Sequence, residues 1–291
     1  MRSPRSVVSE SGLAGLMAVA GGPDADRRMA SDLGVVRLAA THASRTVILP
    51  TGGGMRKLPN LTALLAMLLV RFGVPALLHG AAGGDAARSA NTCDSRNADS
   101  SLVTTADVLS RLGIRVASSV AQVQEDLVRE RIACVATDVL APGLAAHRSA
   151  RTGLLDEMLT KLIDPFGGAS YRVVGVDSRA ALAPMRALLV ATRADALLMR
   201  GCEGEPFGDP VRHVPLEDFT QGVAVVVASS LDGYDRALSA LPPSTSVAAT
   251  AAWISRVMDG VLPVPTAILT QLSCCLVGAR RPLPQPMCDV R

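Results

Sequence analysis

Two rhythms of apolar residues run along this chain, short unbroken runs and longer stretches with helical spacing. Residues 46–49 (Thr-Val-Ile-Leu) form a β-rich run, and Pro50-Thr51-Gly52-Gly53-Gly54 after it reads as a turn. Asn60 stands where it can cap a helix over 61–72, which Gly73 ends. Residues 74–78 then read as a second strand, closing at His79-Gly80. Strand, glycine turn, helix and strand make a βαβ unit. A second unit follows, with a strand over 172–176, a helix over 180–190 and a strand over 196–199. Between the two units, helices are expected over 105–112 and 120–129, the latter capped by Ser118 or Ser119. A strand is expected over 133–136 and a helix-rich basic stretch over 147–162. Residues 223–227 read as a further buried strand, and helices are expected around 253–258 and 268–277. Weaker helical patterns occupy 13–19 and 27–38, and the small polar residues of 82–101 read as a loop.

This alternation predicts an α/β fold, a mainly parallel sheet flanked by helices, with a small, shortened N-terminal helical subdomain. The expected divisions are an N-terminal helical segment over 1–45, an α/β domain over 46–278 and a proline-rich tail over 279–291. Composition agrees. With 49% hydrophobic and 19% charged residues the chain is globular rather than disordered. The net charge of +3 gives no blanket affinity for polyanions, so nucleic-acid binding would require basic residues gathered on one surface. Lys57 and Lys161 are the only lysines, so 27 of the 29 basic residues are arginine, which fits a coding bias. Aromatics at 2% leave few rings for stacking bases. The six cysteines form no CxxC or His/Cys spacing suited to zinc, and they point to a reduced, cytoplasmic protein. The apolar run 61–70 stops at Arg71, too short to span a bilayer, so no membrane partner is expected.

Ligands of such sheets bind where strands end. Three loops qualify, 51–60, 79–80 and 201–208. The glycines at 52–54 let backbone N–H groups approach an anion, Thr51 and Thr62 add hydroxyls, and the helix starting near Asn60 directs its positive end there. The expected phosphate-binding set is therefore Thr51, Gly52, Gly53, Gly54, Asn60, Thr62, His79 and Gly80. His79 reads equally as a buried structural histidine. No G-x-S-x-G elbow supports hydrolysis, and no catalytic residue is assigned.

Thr51-Gly52-Gly53, Asn60-Leu61-Thr62, His79-Gly80, Thr105-Ala106-Asp107-Val108-Leu109 and Leu112-Gly113, in that order and spacing, resemble the anthranilate phosphoribosyltransferase family. In that family a GTGGD turn, an N-x-S/T helix start and a KHGN loop surround phosphoribosyl pyrophosphate (PRPP), and S-A-D-V-L-E-x-L-G opens the next helix. Residues 157–165 (EMLTKLIDP) resemble its NLLGPLTNP stretch. The resemblance covers 46–205. Its departures carry as much information. Gly54 stands in place of the turn's aspartate, and Leu78 and Ala81 replace the lysine and asparagine of KHGN. The family's substrate-binding arginine falls near His147, with Arg148 and Arg151 beside it, and its Asp-Glu pair for magnesium appears only as Glu203-Gly204-Glu205.

The basic turn Gly54-Met55-Arg56-Lys57, with residues 198–205 and the segment 252–276, resembles the YbiB-type branch of that family and extends the match to 278. That resemblance implies a homodimer that binds DNA or RNA with little sequence preference and without transferase activity or a cofactor. Arg56, Lys57, Arg148, Arg151 and Lys161 are the cations expected to meet the backbone. The alternative is a pentosyltransferase using PRPP and Mg²⁺, with Glu203 and Glu205 as the carboxylates for the metal. The bland reading of Glu203-Gly204-Glu205 is a solvated acidic loop.

Overall fold

Strands that are apolar on both faces must be covered on both faces, and the observed sheet is built that way. The computed structural model describes residues 25–55, 57–80, 102–147, 153–210, 214–228 and 241–280. Its strands are β1 Thr46–Pro50, β2 Ala76–Gly80, β3 Val116–Ala117, β4 Ile132–Ala136, β5 Ser170–Val176, β6 Ala196–Arg200, β7 Leu216–Thr220 and β8 Val223–Ala228. They lie in the order β3-β4-β2-β1-β5-β6-β7-β8. All pairings from β3 to β6 are parallel, and β7 and β8 are added antiparallel at one edge. The expected α/β class and mainly parallel sheet are thus observed.

The helices are α1 Ala25–Asp32, α2 Thr62–Arg71, α3 Thr105–Arg111, α4 Val120–Arg129, α5 Thr137–Leu140, α6 Pro142–His147, α7 Gly153–Thr160, α8 Arg179–Ala191, α9 Val247–Met258 and α10 Thr266–Arg280. Period-two alternation sorts each strand between two cores. Val47, Leu49, Leu78 and Val173 pack with Leu65, Leu109, Ile254 and Leu272 of α2, α3, α9 and α10. Ile48, Leu77, Val174 and Leu198 pack with Leu127, Leu159 and Leu188 of α4, α7 and α8 on the opposite face.

Two expectations need correction. Residues 223–227 form a strand, but not a buried one: Val223, Val225 and Val226 are each more than half exposed. A valine run signals two covered faces only when the strand is internal, and β8 ends the sheet beyond the helical layers. The helix expected over 27–38 stops at Asp32, with Gly34 at a φ of 61°, and the chain then runs without regular structure. Within the helix-rich stretch 147–162, α7 covers Gly153–Thr160, and residues 148–152 lie outside the described residues. The patterns at 13–19 and 82–101 lie outside the described residues, as do Cys93 and Cys288. Ser119 caps α4 by accepting from the Gln122 N–H (3.3 Å).

The topology positions the site. After β1 the chain turns to α2 on one face, and after β5 it turns to α8 on the other. Neighbouring parallel strands whose connections leave in opposite directions open a crevice at their carboxyl ends. At the other end of these strands, Arg45 and Asp195 form a buried ion pair with side chains 5% and 3% exposed, tying the start of β1 to the start of β6 across β5. Asp195 also accepts from the Gln221 N–H at 2.7 Å. Asp195→Ala would leave the Arg45 charge buried, and a loss of about 3–5 kcal/mol of unfolding free energy is expected from urea titration.

Candidate anion site at the strand ends

The glycine turn sits at that crevice. The Thr51 N–H donates to the His79 carbonyl at 2.7 Å, welding the end of β1 to the end of β2. Gly54 has a φ of 103°, and a Cβ there would stand 2.9 Å from both the Val103 carbonyl and a Leu102 side-chain carbon. The turn is held against that segment by reciprocal Met55–Val103 backbone bonds of 2.9 and 3.0 Å. An aspartate at 54 would therefore meet both backbone strain and a steric clash.

Asn60 organises the next layer. Its Oδ1 accepts from the Thr62 N–H at 3.1 Å at the start of α2, and its Nδ2 donates to the Thr105 hydroxyl at 3.0 Å. Thr105 is presented by the start of α3, which Thr104 and Asp107 cap reciprocally at 3.1 and 3.2 Å. The Gly52 N–H, the Thr62 hydroxyl and the Thr105 hydroxyl thus converge as donors on one buried point.

That point is filled by the chain's own Glu205. Its Oε1 accepts from Gly52 N–H at 3.0 Å, and its Oε2 from the hydroxyls of Thr62 and Thr105 at 3.2 Å each. Glu205 is 0% exposed. Burial pushes its carboxyl above the usual carboxylate range, against the pull of Thr62, Thr105, the Lys161 charge and the Gly52 N–H. Beside it, Glu203 is exposed and its Oε1 accepts from the Lys57 N–H at 2.8 Å.

The loop is steered there by its own backbone. Glu203 and Gly204 have φ values of 49° and 84°, which reverse the chain after β6. A Cβ at Gly175 or Gly201 would lie 2.1 or 1.9 Å from the Glu205 carbonyl, so only glycine permits this approach. Two further side chains clamp the loop. Lys161, 2% exposed, donates to the Glu157 carboxylate at 2.6 Å, to the Gly204 carbonyl at 3.2 Å and to the Gly175 carbonyl. Gln271 of α10 accepts from the Gly208 N–H at 3.0 Å and donates to the Pro206 carbonyl at 2.8 Å.

The structure therefore brings Thr51, Gly52, Asn60 and Thr62 together as the residues of the turn implied, and adds Thr105. It turns Glu205 inward rather than into a solvated loop, and it places Lys161 beneath that loop with all three ammonium donors committed, instead of on a surface. Gly53 is exposed with nothing within 4 Å of a Cβ placed there. Gly80 is pressed against Thr51, whose hydroxyl would lie 1.8 Å from a Cβ at that position. Lys57 is exposed, while Arg56, Arg148 and Arg151 lie outside the described residues. As arranged, Glu205 is fully buried and Glu203 exposed, so the two carboxylates implied for magnesium do not share one solvent-facing seat. Among the described residues no three His, Cys, Asp or Glu side chains gather as a metal set. Three features escape sequence reading: the donor role of Thr105, and the exposed Arg179 and Arg200 at the ends of β5 and β6. The signal for Arg200 is a cation closing an apolar strand just before a glycine.

His79 is 0% exposed; its Nδ1 pairs with the Thr137 hydroxyl at 3.2 Å and its Nε2 meets no partner among the described residues. Burial pulls the imidazole from 6.5 down to about 4. Burial likewise pushes the Cys134 thiol up to about 12, which marks it as a packing residue rather than a nucleophile.

A mainly parallel α/β sheet with a glycine turn and two helix starts around one anion point defines the architectural class of the anthranilate phosphoribosyltransferases. Comparison with known proteins agrees. The chain is 28% identical over 237 residues to the uncharacterized protein YbiB of Escherichia coli K12, covering 80% of this chain and 69% of that one. The anthranilate phosphoribosyltransferase TrpD of Thermus thermophilus superposes with a TM-score of 0.62 at 21% identity, over 94% of this chain and 86% of that one. The Saccharomyces cerevisiae enzyme in complex with PRPP and Mg gives a TM-score of 0.56 at 11% identity, over 88% and 70% of the two chains. No family model matches. The chain thus has the anthranilate phosphoribosyltransferase fold, and the resemblance to that family and to YbiB read from its motifs is supported from both directions. Among the described residues no helix is long and apolar enough to cross a membrane.

Two measurements check this geometry. Because the folded His79 resists protonation while the unfolded one does not, stability is present above 6.5 and is lost as the pH falls from 6.5 toward 4. The loss attributable to this group is expected to reach about 3 kcal/mol, read as a pH-dependent gap between wild type and His79→Gln that closes on acidification. Gly54→Asp is expected to lower unfolding free energy by about 1–3 kcal/mol, measured by denaturant titration.

Proposed function

We propose that this protein binds nucleic acid on an anthranilate phosphoribosyltransferase scaffold, gripping the sugar–phosphate backbone with little sequence preference and without transferase chemistry. The observation that carries the reading is a row of exposed cations along the carboxyl ends of adjacent strands. Lys57 follows β1, Arg179 follows β5 and Arg200 ends β6. Among the described residues none of the three is paired with a carboxylate. The three cations thus follow or end three adjacent strands on one edge of the sheet, the side where a run of backbone phosphates could be met. Arg56 adjoins Lys57 in sequence. Exposed Asp177 and Glu203 stand in this region too, which keeps the attraction moderate and salt-sensitive.

The absence of transferase chemistry is the second half of the proposal. Such a reaction needs an open seat for a metal-bound pyrophosphate. Here the convergent donors are spent on Glu205, and the turn carries Gly54 instead of an acid. The reading also takes the protein as a cytoplasmic homodimer, which would present two such rims.

Fluorescence anisotropy with labelled single- and double-stranded oligonucleotides tests it. Affinity is expected to fall linearly in log–log plots against salt, and Arg179→Ala or Arg200→Ala to lower that slope by about 1 each. Arg56→Ala with Lys57→Ala is expected to weaken binding across sequences; undiminished affinity in that pair and in Arg179→Ala/Arg200→Ala would remove the rim from consideration. Calorimetric titration with PRPP and Mg²⁺ is expected to give no metal-dependent binding, and tight metal-dependent binding would restore the transferase reading.

A further inference from the structure

A backbone N–H and two hydroxyls that all donate to one acceptor, brought in from separate parts of the chain, form a cradle suited to an anion. Gly52 arrives from the turn after β1, Thr62 from the first turn of α2 and Thr105 from the start of α3. An acid serving only to tether a loop could bond any surface group. Glu205 instead reaches the one buried point where all three donors meet, and the loop bends through left-handed residues and two obligatory glycine contacts to deliver it.

We propose that Glu205 is an internal anion standing where a phosphate would bind, and that removing its side chain alone opens the cradle to free inorganic phosphate. The geometry supports both halves of this statement. Deleting the side chain takes the acceptor from the half-buried Gly52 N–H and the buried Thr62 hydroxyl and leaves the Thr105 hydroxyl only Asn60 Oδ1 at 3.4 Å, a condition relieved by an anion from solvent. The loop has reasons to stay in place, because Lys161 holds the carbonyls of Gly175 and Gly204 and Gln271 holds Pro206 and Gly208. The cradle also lies close to the surface, since Gly52 is half-buried and Gly53 is exposed. The inference is independent of nucleic-acid binding. Oligonucleotide anisotropy on the wild type judges that reading, whatever the variant does with phosphate.

Glu205→Ala, Glu205→Gln and Glu205→Ala/Thr62→Val would be titrated with inorganic phosphate by calorimetry and followed by thermal unfolding in phosphate against chloride at equal ionic strength. Wild type is expected to show no saturable binding. Glu205→Ala is expected to bind phosphate at least roughly tenfold more tightly than wild type and to melt higher in phosphate than in chloride. Glu205→Gln keeps the cradle filled and is expected to behave as wild type does, and Thr62→Val is expected to erase the gain of the alanine variant. Equal phosphate binding by wild type and a folded Glu205→Ala, or none by either, overturns the proposal. If the alanine variant folds poorly, refolding in phosphate against chloride decides: recovery specific to phosphate supports the internal anion, and equal failure in both overturns it.

Discussion

Burying a carboxylate without solvent is costly unless its oxygens are met by donors, and that constraint organises the carboxyl end of this sheet. Glu205 is completely buried, and three donors from three segments meet it. Each donor depends on something upstream. Gly52 is placed by the weld between Thr51 and His79, Thr62 by the Asn60 side chain, and Thr105 by both Asn60 and the Thr104–Asp107 cap. The carboxylate in turn depends on glycines at 175 and 201 and on Lys161 below it. Disturbing any of these would disturb the others. The turn, two helix starts and the loop after β6 therefore form one mechanical unit rather than four neighbouring features.

This arrangement inverts the meaning of the glycine turn. As a sequence, Thr51 to Gly54 with a helix start behind it is a seat for an external anion, and in the fold it faces the crevice between β1 and β5. The anion it holds is nevertheless part of the chain. Gly54 cannot be exchanged for an acid without strain against Leu102 and Val103. Glycine at 54 and the inward course of Glu205 are thus mutually consistent, since the turn carries no acid of its own and its donors are met by one from the loop after β6.

Much of this was legible in the chain and some was not, for identifiable reasons. The βαβ units and the turn were readable because their apolar runs are short, bounded by glycine and separated by helical spacing. Asn60 and Thr62 were readable because a helix start is local, although the N-cap position is Leu61 and Asn60 reaches the Thr62 N–H from the residue before it. The inward course of Glu205 was not, because it rests on approaches of the Glu205 carbonyl to Gly175 and Gly201, and glycine in a strand has many uses. Lys161 looked like a surface cation because lysine almost always is one; what reverses that is a pair of carbonyls distant in sequence, at Gly175 and Gly204. The valines of β8 misled in the other direction. Composition alone does not separate a central strand from an uncovered edge, and only the strand order does.

The same unit explains why the cations suited to a polyanion sit at the rim rather than in the cradle. A buried site accepts one compact anion, whereas a backbone presents charges in series and needs exposed partners. With Glu205 occupying the interior, the backbone N–H of Lys57 is bound to Glu203 and its side chain is left free in solvent. Arg200 ends β6 immediately before the loop that carries Glu205 inward, so the turn that buries the acid is also the turn that leaves the arginine outside. Opposite charges separated by a few residues are thus sent to opposite destinations by one reversal of the chain. The donors at the strand ends thus serve as a structural joint, and the exposed cations Lys57, Arg179 and Arg200 stand around it.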